Sequence, residues 1–173
     1  MHALRPIAPG EELTITYIDG AQPRAARQAA LRSAWGFACG CSACGAAPPL
    51  VAAADERVAR ILELRAALQD FGPGAEADPR RADALVALYQ LERLWGPVAD
   101  AYVLAALEYN GVGEAWAAVM WAERAVEAGL LYSGPYDRDV SVMRDLLRDP
   151  RGHWSWMLRV NKSLAQGSGG ENE

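Results

Sequence analysis

Cys39, Cys41 and Cys44 form a Cys-x-Cys-x-x-Cys run. Three thiolates on so short a loop suit tetrahedral Zn2+, and Gly36, Gly40 and Gly45 let the backbone bend around a metal. A structural zinc site has four ligands, so the run is one short. His2 and His153 have the right chemistry but no motif spacing, and an isolated histidine more often packs than ligates. The plain alternative is a chance cluster of small buried residues. Upstream, Leu13, Ile15 and Tyr17 alternate with Thr14 and Thr16, which places the Tyr17 phenol near the end of a short strand. A phenol offers a donor, an acceptor and an aromatic wall together. Glu11 and Glu12 precede it, and Phe37 stands just before the cysteines.

These residues need positioning elements. A turn at Pro9-Gly10 leads into a strand over 13–18, closed by Asp19-Gly20. The spacing predicts a helix from Pro23 to Trp35, with Ala26, Ala30, Leu31 and Ala34 on one side and Arg24, Arg27 and Arg32 elsewhere. Gly36 stops it. Residues 48–52, with Pro48-Pro49, read as a linker. Beyond it every pattern is helical: 55–71, then a helix opened by Asp78-Pro79 and ended near Gly96-Pro97. Helices follow over 98–109, 114–128 with a stop at Gly129, 135–147, and a short one over 153–162. Tyr102, Ala105, Ala106 and Tyr109, with Ala118, Ala122 and Ala125, match one tetratricopeptide-like helical hairpin, or an unrelated hairpin of small residues. Trp95, Trp116, Trp121 and Trp154 fall at or near apolar faces and are expected to add buried area. Residues 166–173 are Gly-rich and polar, the composition of a disordered tail.

Gly10-Glu11-Glu12-Leu13-Thr14-Ile15-Thr16-Tyr17, followed by Trp35-Gly36-Phe37-Ala38-Cys39-Gly40-Cys41-Ser42-Ala43-Cys44, resembles the end of a SET domain joined to its post-SET cysteine module. The specific likeness covers about residues 4–45 and is to SET domains of the SET and MYND type. Asp55-Glu56-Arg57-Val58, Asp149-Pro150 and His153-Trp154-Ser155-Trp156 look similar to the helical C-terminal region of fungal SET-domain proteins. The resemblance implies a mainly α chain. It would hold a C-terminal remnant of the SET β-fold (1–36), a post-SET zinc loop (37–47), the linker (48–52), an all-helical domain (53–162) and a disordered tail (163–173). It implies S-adenosylmethionine-dependent methylation of a protein lysine, histone or non-histone. Tyr17 would orient the amine and the methyl donor, Phe37 would help cover the cofactor or the lysine channel, and Cys39, Cys41 and Cys44 would bind zinc. The family's fourth zinc ligand and its glycine-rich cofactor motif have no counterpart here. The expectation is that this chain alone neither binds the cofactor nor catalyses. Glu11 and Glu12 then serve the turn and strand entry, since methyl transfer to an amine needs no general-base carboxylate.

The 173 residues are 51% hydrophobic and 23% charged, with two Phe and abundant Ala, which favours closely packed helices. Residues 1–50 carry four Arg against three acidic residues, net +1, so with −5 overall the remainder carries −6. No basic patch points to direct nucleic-acid binding. No apolar run reaches the roughly 18 residues of a membrane span, and Pro6 and Pro9 break any signal-peptide core. An odd, tight cysteine set fits a reducing compartment, nucleus or cytoplasm. The rival reading is a zinc-stapled helical interaction module without activity. A zinc hydrolase using Glu11 as base is disfavoured, because no His-rich ligand spacing exists.

Overall fold

The computed structural model describes residues 3, 6–12, 15–72, 75 and 78–160. The chain is mainly α. Six helices follow in order: α1 Arg24–Trp35, α2 Pro48–Gln69, α3 Pro79–Leu91, α4 Val98–Gly111, α5 Ala115–Tyr132 and α6 Arg138–Arg148. Each helix from α2 onward packs on the next, and α4 also touches α2 and α6, so it sits at the centre.

The sequence pattern explains that placement. In α2 the buried residues Val58, Ile61, Leu64 and Leu68 recur every three or four positions, one stripe along a helix. Ala82, Leu85, Val86 and Tyr89 do the same in α3, and Val140, Met143 and Leu146 in α6. In α4, by contrast, buried residues point all round, from Val98 and Ala101 to Ala106 and Gly111, as expected of a helix with neighbours on every side. Ala105, Ala106, Ala118 and Ala122 are fully buried. Such small side chains let α4 and α5 approach closely. One core joins residues of α2 to α6, from Ile61 to Leu146. Burying a leucine such as Leu85 or Leu146 there contributes about 1.5–3 kcal/mol.

The helix starts follow capping rules. Asp78 caps α3 by accepting from the Arg80 N–H, with Pro79 in the first turn. Asp137 caps α6, accepting from Asp139 and Val140. At the other end of α1, Gly36 takes φ 71° and its N–H bonds back to the Arg32 carbonyl, the left-handed cap that glycine tolerates best.

Four expectations are corrected. Residues 48–52 are not a linker, because α2 begins at Pro48. The first-turn N–H groups of a helix have no intrahelical partner, so Pro48 and Pro49 lose nothing there. Gly129 does not stop α5, which runs to Tyr132; a Cβ on Gly129 would lie 2.7 Å from Val140 Cγ2, so the glycine is the contact point of α6. Among the described residues there is no strand: Ile15 to Tyr17 join no ladder, Ile18 lies in a bend, and Leu13 and Thr14 lie outside the described residues. Of the four tryptophans expected to bury, only Trp121 does, at 8% exposure, against 55% for Trp95, 79% for Trp116 and 58% for Trp154.

After α6 the chain turns back beneath α4. The Asn110 amide donates to the Pro150 carbonyl (3.0 Å) and to Ser155 Oγ (2.8 Å), and the Met157 N–H donates to the Asn110 carbonyl. Arg159 then reaches the interior. Its Nε donates to Glu108 Oε2, while its Nη atoms donate to the carbonyls of Leu68 (2.9 Å) and Asp70 (2.5 Å) at the end of α2. Glu108 Oε1 accepts from the Asp78 N–H at 2.9 Å. A Cβ on Gly111 would stand 2.8 Å from Arg159 Cγ, so glycine there makes room for the arginine. Of the last short helix expected over 153–162, residues 154–157 are turn and 158–160 helical, and 161 and 162 lie outside the described residues. The expected tail, 163–173, lies outside the described residues.

Candidate metal centre

The site grows from one face of α1. Arg24, Arg27, Gln28 and Leu31 stand at helical i, i+3, i+4 and i+7 positions. Gln28 and Leu31 are the buried residues of the helix, while Ala26 and Ala34 are exposed. Leu31 buries as expected and Ala30 is half-buried, but the second buried residue is Gln28 and not an alanine of the expected face. The reason lies in what the helix packs on: a loop rich in backbone polar groups, which an amide and a guanidinium satisfy and a methyl cannot.

That loop carries the cysteines. Gln28 Nε2 donates to the Cys39 carbonyl at 2.7 Å, and Gln28 Oε1 accepts from the Cys39 N–H at 3.1 Å. Arg24 Nε donates to the Cys44 carbonyl at 2.6 Å. The Gly45 N–H closes a turn onto the Cys41 carbonyl at 2.8 Å. The three sulfurs lie within 4.8 Å of one another. Cys44 is buried, Cys39 half-buried and Cys41 exposed.

The donor set fits zinc. Zn–S bonds of about 2.3 Å set tetrahedral sulfur–sulfur edges of about 3.8 Å, so a metal would draw the sulfurs together by roughly 1 Å at most. Electrostatics point the same way for one ligand. Burial would raise the Cys41 thiol, yet hydrogen bonds from the Cys44 N–H, the Cys39 thiol and the Ala43 N–H hold it below its ordinary value. Burial pushes the Cys44 thiol up, helped by its bond to Cys41 and opposed by Arg27. Three cysteines this close could hold zinc.

Beside the loop lies an aromatic cluster. The Tyr17 ring meets Trp35 edge-on with centroids 5.1 Å apart, and meets Phe37 edge-on at 5.5 Å. All three rings are partly exposed. Tyr17 and Phe37, singled out from their motif, are therefore in contact with each other, and Phe37 lies two residues before Cys39 in the chain. Trp35 was not foreseen as their partner. Its signals were its place at the head of the cysteine motif and at the last position of a helix.

Other candidates fall away from this site. Glu11 Oε2 accepts from the Ala8 N–H at 3.1 Å, and the Glu11 N–H donates to the Ala8 carbonyl across Pro9-Gly10, where Gly10 has φ 82°. Pro in second place and a positive-φ glycine in third is the pattern of a type II turn, so Glu11 serves the turn, as expected. His153 Nδ1 accepts from the Ser155 hydroxyl at 2.8 Å in the C-terminal turns, a packing role. His2 lies outside the described residues. No helix is long and apolar enough to cross a membrane among the described residues.

Two curated proteins share this sequence in part. A stretch of 49 residues, 28% of the chain, is 43% identical to the Protein SET DOMAIN GROUP 41 of Arabidopsis thaliana. A stretch of 44 residues, 25% of the chain, is 50% identical to the Histone-lysine N-methyltransferase SET5 of Scheffersomyces stipitis. Part of this chain is similar to SET-domain proteins. It spans 9% of the length of each of these relatives. No family model matches the chain, and no solved structure matches it.

Proposed function

We propose that this chain is the C-terminal portion of an S-adenosylmethionine-dependent protein-lysine methyltransferase of the SET type. Residues 1–36 would complete the catalytic domain, 37–47 would form its post-SET zinc loop, and the helices would follow as a separate domain. The observation that carries the reading is the edge-on contact of Tyr17 with Phe37 at 5.5 Å. It joins the motif's tyrosine to the aromatic that opens the cysteine loop, as a catalytic wall built across that junction requires.

In this reading the cofactor supplies the methyl group. Transfer of that group to a lysine amine would be an in-line displacement. Such a displacement gains from orientation and from fixed dipoles, and needs no covalent nucleophile. Tyr17 would orient the amine through its hydroxyl. Phe37 would exclude water from the same wall. Zinc on Cys39, Cys41 and Cys44 would fix the loop that carries Phe37, with a fourth ligand from another segment, from water or from a second chain. The substrate is a protein lysine, histone or non-histone, and the compartment nucleus or cytoplasm. In this reading the chain is of the SET and MYND type, with a helical region like that of fungal SET-domain proteins. The alanine-lined α4–α5 pair, with Tyr102 stacked on Trp121 at 5.7 Å, supports a tetratricopeptide-like unit within it.

The test is Tyr17→Phe in the protein with a complete SET domain. Turnover falls by on the order of 10²-fold or more, while the exposed hydroxyl leaves the melting temperature nearly unchanged. Wild-type turnover in the variant makes Tyr17 a packing residue and sinks the assignment. The alternative, a zinc-stapled helical interaction module, is favoured by the extensive core of α2 to α6. It would show the same zinc binding and no methyl transfer in the complete protein.

A further inference from the structure

We propose that α1 is a template for the metal loop, with Gln28 and Arg24 as positioning residues that hold Cys39 and Cys44 in place before a metal arrives. The inference rests on the zinc reading above and extends it from the ligands to the residues that set them.

The geometry is specific. A glutamine side chain is a peptide analogue, with one carbonyl and one amide. Gln28 spends both on a single residue, donating to the Cys39 carbonyl at 2.7 Å and accepting from the Cys39 N–H at 3.1 Å. This is the two-bond pairing that one strand residue gives another across an antiparallel ladder. It fixes the Cys39 backbone on both sides of the α-carbon, and so the direction of its side chain. At 8% exposure, Gln28 is too buried for water to replace these bonds cheaply. One helical turn earlier, Arg24 Nε donates to the Cys44 carbonyl at 2.6 Å. The first and last thiol of the run are thus pinned to one rigid face, with only Cys41 between them carrying an exposed side chain.

Arg24 is itself anchored. Its backbone N–H donates to Asp55 Oδ1 in α2 at 2.7 Å. The template is therefore tied to the first half of α2 by a bond that involves no metal. Partners that orient metal ligands in this way typically matter about 10–100-fold in affinity.

The experiment titrates the reduced 173-residue chain with Co2+, reading the thiolate-to-cobalt charge-transfer band, then measures Zn2+ affinity by competition with a chromophoric chelator. Gln28→Met keeps the volume and removes both hydrogen bonds. It should bind about 10–100-fold more weakly, and Arg24→Met should move in the same direction. A second readout uses no metal: hydrogen exchange at the Cys39 amide. Protection in the metal-free wild type and its loss in Gln28→Met are expected. Should Gln28→Met disturb the far-UV helical signal, Gln28→Glu carries the test. It keeps the acceptor for the Cys39 N–H and loses the donor to the carbonyl, so Zn2+ affinity again falls.

Wild-type binding with the Gln28 variant within twofold of it, or a Cys39 amide that exchanges freely without metal, overturns the template while leaving the zinc site standing. A wild type that gives no charge-transfer band at all overturns both, and separates the two failures.

Discussion

Glu108 and Arg159 form an ion pair 2.8 Å long with both side chains 2% exposed, across 51 residues of sequence. Neither charge could be buried alone. Each is satisfied further, Glu108 by the Asp78 N–H and Arg159 by two carbonyls at the end of α2 and by the face of Phe71, 4.2 Å away. The pair therefore joins α4, the start of α3, the end of α2 and the C-terminal turn at one point.

Removing one partner should be costly. Glu108→Ala leaves a buried guanidinium without its counter-charge and orphans the Asp78 N–H, so it should destabilise by about 3–5 kcal/mol. Urea unfolding of the full chain measures it. A loss below about 1 kcal/mol would mean that water reaches the site and screens the charge.

Gly129→Ala should destabilise even though alanine is the better helix former by about 1 kcal/mol. The new methyl meets Val140 Cγ2 at 2.7 Å inside the α5–α6 contact, and overpacking of this kind costs about 1–3 kcal/mol. Val140→Ala removes the opposing methyl. The double variant should thus be more stable than the two single losses add up to, by at least about 0.5 kcal/mol. Strict additivity would show that α6 shifts freely instead.

His153 gives a pH signature. Burial holds its pKa below the ordinary 6.5, only partly offset by Asp145. Below pH 6.5 the unfolded chain takes up a proton that the folded chain resists. Stability from this group is therefore complete above that pH and falls as pH drops toward the lowered folded value. His153→Asn can accept from Ser155 without titrating, and should flatten the melting-temperature profile below pH 6.5. An unchanged slope would place the acid sensitivity elsewhere.

Residues 47–160 should fold without the cysteine loop. Every residue of the central core lies in α2 to α6, between Ile61 and Leu146, and Arg159 is retained. Circular dichroism should show a cooperative helical melt unaffected by a chelator. An unfolded product would mean that Leu31 and Cys44, buried outside that core, are needed for it.

How much was legible depended on the range of each interaction. The Gly36 stop and the Asp78-Pro79 start are local chemistry, and both were read correctly. Pro48-Pro49 and Gly129 use the same residue types in other roles, as first-turn residues and as a close helix contact, and only the neighbours distinguish these. The cysteine cluster was plain from spacing. Gln28 was not: a polar residue on a helix reads as solvated, and its partner is 11 residues away. Trp116 and Trp154 were misjudged because an apolar helix position buries only if another element comes to cover it. Glu108 and Arg159 carried no local signal at all.

Pro48 begins α2 four residues after Cys44, with no slack between them. Mechanically, α2 is a stiff arm attached to the cysteine loop. Twenty-two residues make an arm of about 33 Å at 1.5 Å per residue. That arm is clamped at its far end, where the Leu68 and Asp70 carbonyls accept from Arg159, and along its length by Ile61, Leu64 and Leu68 in the core. Rearrangement among the three sulfurs would thus be absorbed in the loop, against a rod that does not turn.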